Sequence, residues 1–198
     1  MNKRLFNGAM VIHGGSSYRS ILLRGILQGY FERLLSQMEM YSKNSSMPLL
    51  TAHEDLPSLA WLSQTSRYRL EDLVKPLSDR VVLAPAIRMA IEALPTGEPG
   101  LVTVISDFQV IDPDELTRLV DWMLKQHPLT FLKLVFVSSD HQGNDILPLL
   151  LEERPGGPLN MVDALFATRL CSLSGESIEE DFGRKLNTFV ALLNTAGY

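Results

Sequence analysis

Three side chains of kinds that can share a proton stand beside turns in this 198-residue chain: His13, Ser17 and Asp107. His13 closes an apolar run, residues 9–13 (AMVIH), and leads directly into Gly14-Gly15-Ser16-Ser17. Asp107 follows Ser106 at the end of a second run, residues 101–105 (LVTVI). An imidazole, a hydroxyl and a carboxylate together have the composition of a hydrolytic triad, which requires the base within hydrogen-bond reach of the nucleophile and a third group orienting the base. The G-x-S-x-G turn that displays such a serine is absent. The Gly14–Ser17 turn is also a candidate anion cradle, because backbone N–H groups at a helix start attract phosphate or carboxylate. It carries neither the Lys-Ser/Thr of a phosphate loop nor a G-x-G-x-x-G spacing. Two plainer roles compete: a strand-to-helix turn that needs glycine, and an Asp107 carboxylate accepting hydrogen bonds from the N–H groups of that turn. The second is the favoured role for Asp107.

The elements that must position these residues follow from hydrophobic period. The stretch 100–112 (GLVTVISDFQVID) reads as a strand buried on both faces, and such strands belong to mostly parallel sheets covered by helices. Residues 9–13 form the first strand. A helix follows from about residue 19, with Leu23, Ile26, Leu27, Tyr30 and Leu34 on one face, fading at residues 40–46. Gly25 and Gly29 inside it lower its propensity, by roughly 1 kcal/mol each against alanine, and allow close packing on the sheet. Residues 47–52 and 56–62 read as a hairpin turned at His53-Glu54-Asp55, with Pro48 and Pro57 confining its strands to an edge or to strand starts. A short helix spans 70–77. A second, capped by Asp79, buries Leu83, Ala86, Ile87, Ala90, Ile91 and Leu94, and is stopped by Pro95, Gly97, Pro99 and Gly100. Asp112, Pro113 and Glu115 together make a helix start, and Leu116, Leu119, Val120, Met123 and Leu124 form the buried face up to His127-Pro128. Residues 131–137 (FLKLVFV) give another buried strand, 141–158 are loop-rich, 160–167 fit an edge strand, and Ser177 caps a last helix with Ile178, Phe182, Leu186, Phe189, Val190 and Leu193 on one side. Alternation of this kind argues an α/β fold in three layers, with a mostly parallel central sheet and one antiparallel edge strand, as a single domain over residues 1–198.

Composition narrows the function. Apolar residues at 45% and charged residues at 21% describe a chain that can bury a core. The net charge of −5 argues against nucleic acid as a partner, and Arg19, Arg24, Arg67 and Arg69 are scattered. One cysteine, Cys171, permits no internal disulfide and reads as a small core filler. No signal peptide or bilayer-length apolar run occurs, so the expectation is a cytoplasmic protein without membrane insertion. Trp61 and Trp122 are expected in core or interface packing, Met38, Met40 and Met47 in the core, and Glu152-Glu153-Arg154 on the surface.

The order of elements, with LVTVISDF and the preceding LAPAIRMAIEAL helix, resembles the von Willebrand factor A-type fold, and within it the bacterial subfamily encoded beside MoxR-type AAA+ ATPases. The matching parts are residues 104–108, the helix 115–125, the strand 131–140, Leu147-Pro148, Val162-Asp163 and the helix 178–193. The resemblance implies a metal-ion-dependent adhesion site with Asp-x-Ser-x-Ser after the first strand, a Thr from a later loop and an Asp after the central strand. Set onto this chain, the first Asp falls at His13, the first Ser at Gly15 and the Thr near Val81 or Val82. Ser17 and Asp107 are kept. Thr65 or Ser66 stays open as another source of the missing hydroxyl. Magnesium wants near-ideal octahedral oxygen coordination, which one hydroxyl, one carboxylate and an imidazole nitrogen do not supply. The expectation is a degenerate site with no cofactor beyond weak magnesium binding. The upstream β-rich segment and Gly-x-Asp-x-Arg stretch of many subfamily members do not occur in these residues, which suggests a stripped-down interaction domain.

These readings lead to a non-enzymatic protein-interaction module of a bacterial multiprotein assembly. Its partner would be a MoxR-type AAA+ ATPase or another subunit, bound through His13, Ser16, Ser17, Tyr18, Arg19, Asp107, Phe108 and Gln109. The competing expectation is a small-ligand binder or hydrolase using the Gly14–Ser17 turn with Asp107. A third is a scaffold subunit acting by shape alone.

Overall fold

The computed structural model describes residues 5–13, 32, 35–36, 38–44, 46–53, 57–63, 82–106, 113–138, 165–171, 190–191 and 193–194. Six strands form one sheet: β1 (Asn7–His13), β2 (Ser46–Ala52), β3 (Ser58–Ser63), β4 (Gly100–Ser106), β5 (Thr130–Ser138) and β6 (Leu165–Cys171). Their order is β3-β2-β1-β4-β5-β6. All neighbours run parallel except β2 and β3, so the antiparallel strand is an edge, as the hairpin pattern implies. Two described helices intervene: α1 (Leu83–Glu92) before β4 and α2 (Pro113–Gln126) between β4 and β5.

The core follows the periods read from the sequence. Every residue of β1 and of β4 is buried. Alternate positions (Ala9 and Val11, Val102 and Val104) meet Ala86, Ile87, Ala90 and Ile91 of α1 and Leu119, Val120 and Met123 of α2. On the opposite face, Met38 from the helical residues 38–41 reaches Thr103, whose Oγ1 lies 3.5 Å from the Met38 sulfur. A Cβ on Gly8 would come within 3.0 Å of the ends of Met38 and Met47, so both methionine side chains would have to shift to admit one. A Cβ on Gly100 would likewise stand 2.8 Å from Leu94 Cδ1 and 3.1 Å from Thr130 Oγ1, so those side chains would have to shift to admit one.

Several expectations need correction. Asp79 lies outside the described residues, and the residue that caps α1 is Val82, which makes no side-chain cap bond. Instead the Val82 N–H donates to the His53 carbonyl at 3.1 Å and ties the helix start to the end of β2. The last strand is displaced from 160–167 to Leu165–Cys171. Trp61 is 53% exposed on β3 and is not core. Met38 and Met47 are buried, but Met40 is exposed. Pro48 lies in β2, an inner strand, yet it precedes the first β1–β2 pair, Met10–Leu49, so its missing N–H costs that ladder nothing. Most of the first helix with its glycines, the 70–77 helix, the 141–158 loops, the 152–154 charge run and most of the last helix lie outside the described residues. Residues 190, 191, 193 and 194 are helical and Leu193 is buried.

Where β2 has not yet begun, a side chain replaces it. The Asn44 carboxamide accepts from the Gly8 N–H at 3.0 Å and donates to the Gly8 carbonyl at 2.9 Å, mimicking a strand neighbour. Ser42 donates to the Asn44 side-chain oxygen and holds it in place. Beside it, the Glu98 carboxylate accepts from Asn7 Nδ2 at 3.1 Å and pairs with Lys43 Nζ at 3.0 Å.

Asn44→Ala leaves both Gly8 groups without that partner and is expected to lower stability by ~2 kcal/mol, measured by urea unfolding. Hydrogen bonds from Lys43 and then Asn7 hold the Glu98 carboxyl below its ordinary 4.5. A depressed carboxyl stabilises the fold above its unfolded value and loses that contribution as pH falls through the lower folded value. Glu98→Gln should therefore lower stability slightly at neutral pH and flatten the acid limb, so that variant and wild type converge as pH falls below about 4.5, as followed by circular dichroism melts.

Candidate functional site

β1 and β4 are adjacent and parallel, in register from Asn7–Gly100 to Ile12–Ile105. Their carboxyl ends therefore finish level. One step beyond Ile12 and Ile105 stand His13 and Ser106, and His13 Nδ1 lies 3.0 Å from Ser106 Oγ. Both are buried, His13 at 3% exposure and Ser106 fully. They share one hydrogen bond, and the imidazole tautomer decides which of them donates. By strand alternation both side chains belong to the face covered by α1 and α2. A polar pair at this depth must satisfy itself, because each unmet donor or acceptor would cost about 1–3 kcal/mol.

Sequence reasoning singled out His13 and missed Ser106. The signal was available: Ser106 is the last residue of a two-face-buried strand, where a hydroxyl needs a buried partner. The chain leaves β4 at Ser106 and continues into Asp107, and it leaves β1 at His13 and continues into Gly14. Gly15, Ser16, Ser17, Tyr18, Arg19, Asp107, Phe108 and Gln109 lie outside the described residues, as do Val81, Thr65 and Ser66. Val82 is described. It sits at the start of α1, near the same sheet end through its bond to His53, and offers no side-chain oxygen.

The described donors fit a hard divalent ion poorly. An imidazole nitrogen already bonded to a serine, and a valine, are not the oxygen set that magnesium takes. Among the described residues no group of three or more His, Cys, Asp or Glu is gathered in a way that could hold a metal. No helix among them is long and apolar enough to cross a membrane.

No family model matches the sequence, and no curated protein does. Solved structures do. The SpRpn10 VWA domain superposes with a TM-score of 0.61 at 12% identity, covering 89% of this chain and 93% of that one. The chain has the fold of a von Willebrand factor A domain. Manganese-loaded Plasmodium vivax TRAP protein matches with a TM-score of 0.56 at 7% identity over 84% of this chain and 69% of that one. The mussel byssus proximal thread matrix protein 1 matches at 0.55 and 10% identity, over 91% of this chain and 47% of that one. Within this von Willebrand factor A fold, the His13–Ser106 pair occupies the carboxyl end of the two central strands, the end of an open parallel sheet where ligands bind.

Ser106→Ala removes the partner of a buried imidazole nitrogen. The expected outcome is a loss of ~1–3 kcal/mol by chemical denaturation and a changed His13 ring-nitrogen shift in a ¹H–¹⁵N spectrum, with the other three histidines unmoved.

Proposed function

We propose that this chain is a non-enzymatic protein-interaction module of a bacterial multiprotein assembly, which binds a protein partner through the loops after β1 and β4 without a tightly held metal. The observation that carries the reading is the His13–Ser106 hydrogen bond. It joins the ends of the two central strands directly, at the place where the resemblance puts a carboxylate of the adhesion site. Such a pair holds the two loop bases together without a cation. A buried His13 acts behind the contact surface, and the contacts themselves fall to Ser16, Ser17, Tyr18, Arg19, Asp107, Phe108 and Gln109 in the loops it anchors. The partner class in this reading is a MoxR-type AAA+ ATPase or another subunit of the same assembly, in the cytoplasm.

Calorimetry with magnesium and with manganese tests the metal-free part of the reading, manganese being included because one structural neighbour is loaded with it. The expected result is no binding tighter than about millimolar, the weakest class of specific affinity. Tighter binding lost on Asp107→Ala would restore a metal-dependent site. Capture of partners from the native host, compared between the wild-type chain and an Arg19→Glu, Phe108→Ala variant, tests the loops. Retention of all partners by the variant would move the surface elsewhere. Turnover of an ester or phosphate substrate that disappears in Ser17→Ala would replace the proposal with the hydrolase reading.

A further inference from the structure

β1 opens on Asn7-Gly8, the one Asn-Gly pair in the sequence. In a flexible chain such a pair is chemically unstable. The main-chain nitrogen of the glycine can reach the side-chain carbonyl carbon of the asparagine, because no Cβ stands in the way and the glycine backbone turns freely. In this fold each member of the pair has its own structural work. Gly8 lies against Met47 and Met38, whose Cε atoms would stand 2.8 and 3.0 Å from a Cβ there. Asn7 is buried at 5% exposure and donates from Nδ2 to Glu98 Oε2 at 3.1 Å.

The folded chain holds the reacting atoms apart. Side chains stand out of the plane of a sheet, whereas its N–H groups lie in that plane. The Asn7 carboxamide is directed to Glu98, and the Gly8 N–H to Asn44 Oδ1 at 3.0 Å. The second bond matters twice. It fixes the peptide plane, and it holds the proton that the nitrogen must lose to become a nucleophile. Asn44 is held in turn at every polar position. Its Oδ1 accepts from the Gly8 N–H and the Ser42 hydroxyl, and its Nδ2 donates to the carbonyls of Gly8 at 2.9 Å and Ser46 at 3.2 Å. Two donors and two lone pairs are all that a carboxamide has. Yet this clamp is a side chain and not a strand, since the β1–β2 register begins only at Met10–Leu49. Releasing it breaks two hydrogen bonds to one residue, a local opening far less costly than unfolding the sheet.

We infer that Asn7-Gly8 is a latent self-modification site, and that Asn44 is the residue that keeps it shut. When the clamp opens, the Gly8 amide gives its proton to water and its nitrogen bonds to Asn7 Cγ. The Cγ–Nδ2 bond breaks, the departing nitrogen takes a proton from water, and ammonia leaves a succinimide behind. Water then opens the ring. Cleavage of the new N–Cγ bond gives an aspartate at position 7. Cleavage at the main-chain carbonyl gives an isoaspartyl link, in which the chain runs through Cγ. The sum is one water consumed and one ammonia released, with no oxidant or cofactor. Neither product fits the place Asn7 held. Each sets a carboxylate beside that of Glu98, where the structure has a donor. The isoaspartyl link also adds a carbon to the main chain at the residue paired with Gly100, which disturbs the register of β1 on β4 at its first pair. The reaction is therefore one-way, because a reacted chain cannot close on Asn44 as before. The site lies at the amino end of the sheet and does not depend on the loop reading.

Peptide mass spectrometry on the full chain, held folded at mildly alkaline pH and fragmented so that aspartate and isoaspartate separate, follows conversion at position 7. The wild-type chain is expected to convert slowly, and Asn44→Ala about tenfold faster, as the loss of a hydrogen-bonded clamp implies. Ser42→Ala, which frees one side of Asn44, should fall between them. Ser106→Ala weakens the other end of the same two strands and should keep the wild-type rate. A second measurement needs no variant. Hydrogen exchange at the Gly8 amide requires the same opening, so its protection factor should match the ratio of conversion rates in urea-unfolded and folded wild-type chain. Equal rates in wild type and Asn44→Ala, or an equal acceleration by Ser106→Ala, overturn the role of Asn44. Conversion of the folded chain faster than Gly8 exchange allows overturns the proposal, since the pair then reacts while shut. Asn7→Asp, standing for one product, should melt lower than wild type at neutral pH and regain most of the loss when combined with Glu98→Gln. An Asn7→Asp chain as stable as wild type overturns the one-way consequence.

Discussion

The structure depends on one pairing, that of β1 with β4. Both strands are buried along their whole length on both faces. Such strands cannot be joined by a hairpin, because parallel neighbours need a crossover, and the crossovers supply the helices that cover the faces. The register from Asn7–Gly100 to Ile12–Ile105 then leaves no freedom at the carboxyl end. Whatever residues terminate the two strands must meet. Here they are an imidazole and a hydroxyl, and their hydrogen bond is the way a buried polar pair is tolerated in an otherwise apolar stack of side chains.

The two ends of the sheet divide the work. At the amino end the chain is fastened: Asn44 stands in for a strand beside Gly8, the Asn7 N–H donates to the Pro99 carbonyl, and Glu98 gathers Asn7 and Lys43. Pro99 and Gly100 bring the chain into β4 under Leu94, where a Cβ on residue 100 would press on Leu94 Cδ1 at 2.8 Å. Over the same face, Trp122 packs against the edge of the core between Arg88 and His127 and joins α2 to α1. At the carboxyl end the chain leaves β1 and β4 from neighbouring positions, His13 and Ser106, whose side chains are hydrogen-bonded.

Most of the fold was legible because its signals are local. Residues 101–105 read as a buried strand from composition alone. The α1 face of Leu83, Ala86, Ile87, Ala90 and Ile91 is visible as a helical period, and Pro113 marks the α2 start. What was misread depends on neighbours. Val82 caps α1 through a backbone bond to His53, 29 residues away in sequence, and no local capping signal announces such a contact. β6 is bounded by its pairing with β5, from Leu132–Leu165 to Ser138–Cys171, and not by its own pattern. Trp61 reads as core or interface because of its apolar run, and its place on the edge strand β3, where it is 53% exposed, removes only the core half of that reading. Ser106 escaped notice because a serine before an aspartate looks like the start of a turn until the opposing strand is known.

By itself, the sequence determined the alternation of strands and helices and the burial of the central strands. These are properties of residue type and spacing, which act over a few positions. Only the tertiary structure decided that His13 takes Ser106 as its partner and that Asn44 completes the sheet beside Gly8. Each of those facts joins segments distant in the chain, and strand order and register, which no local pattern encodes, are what bring them together.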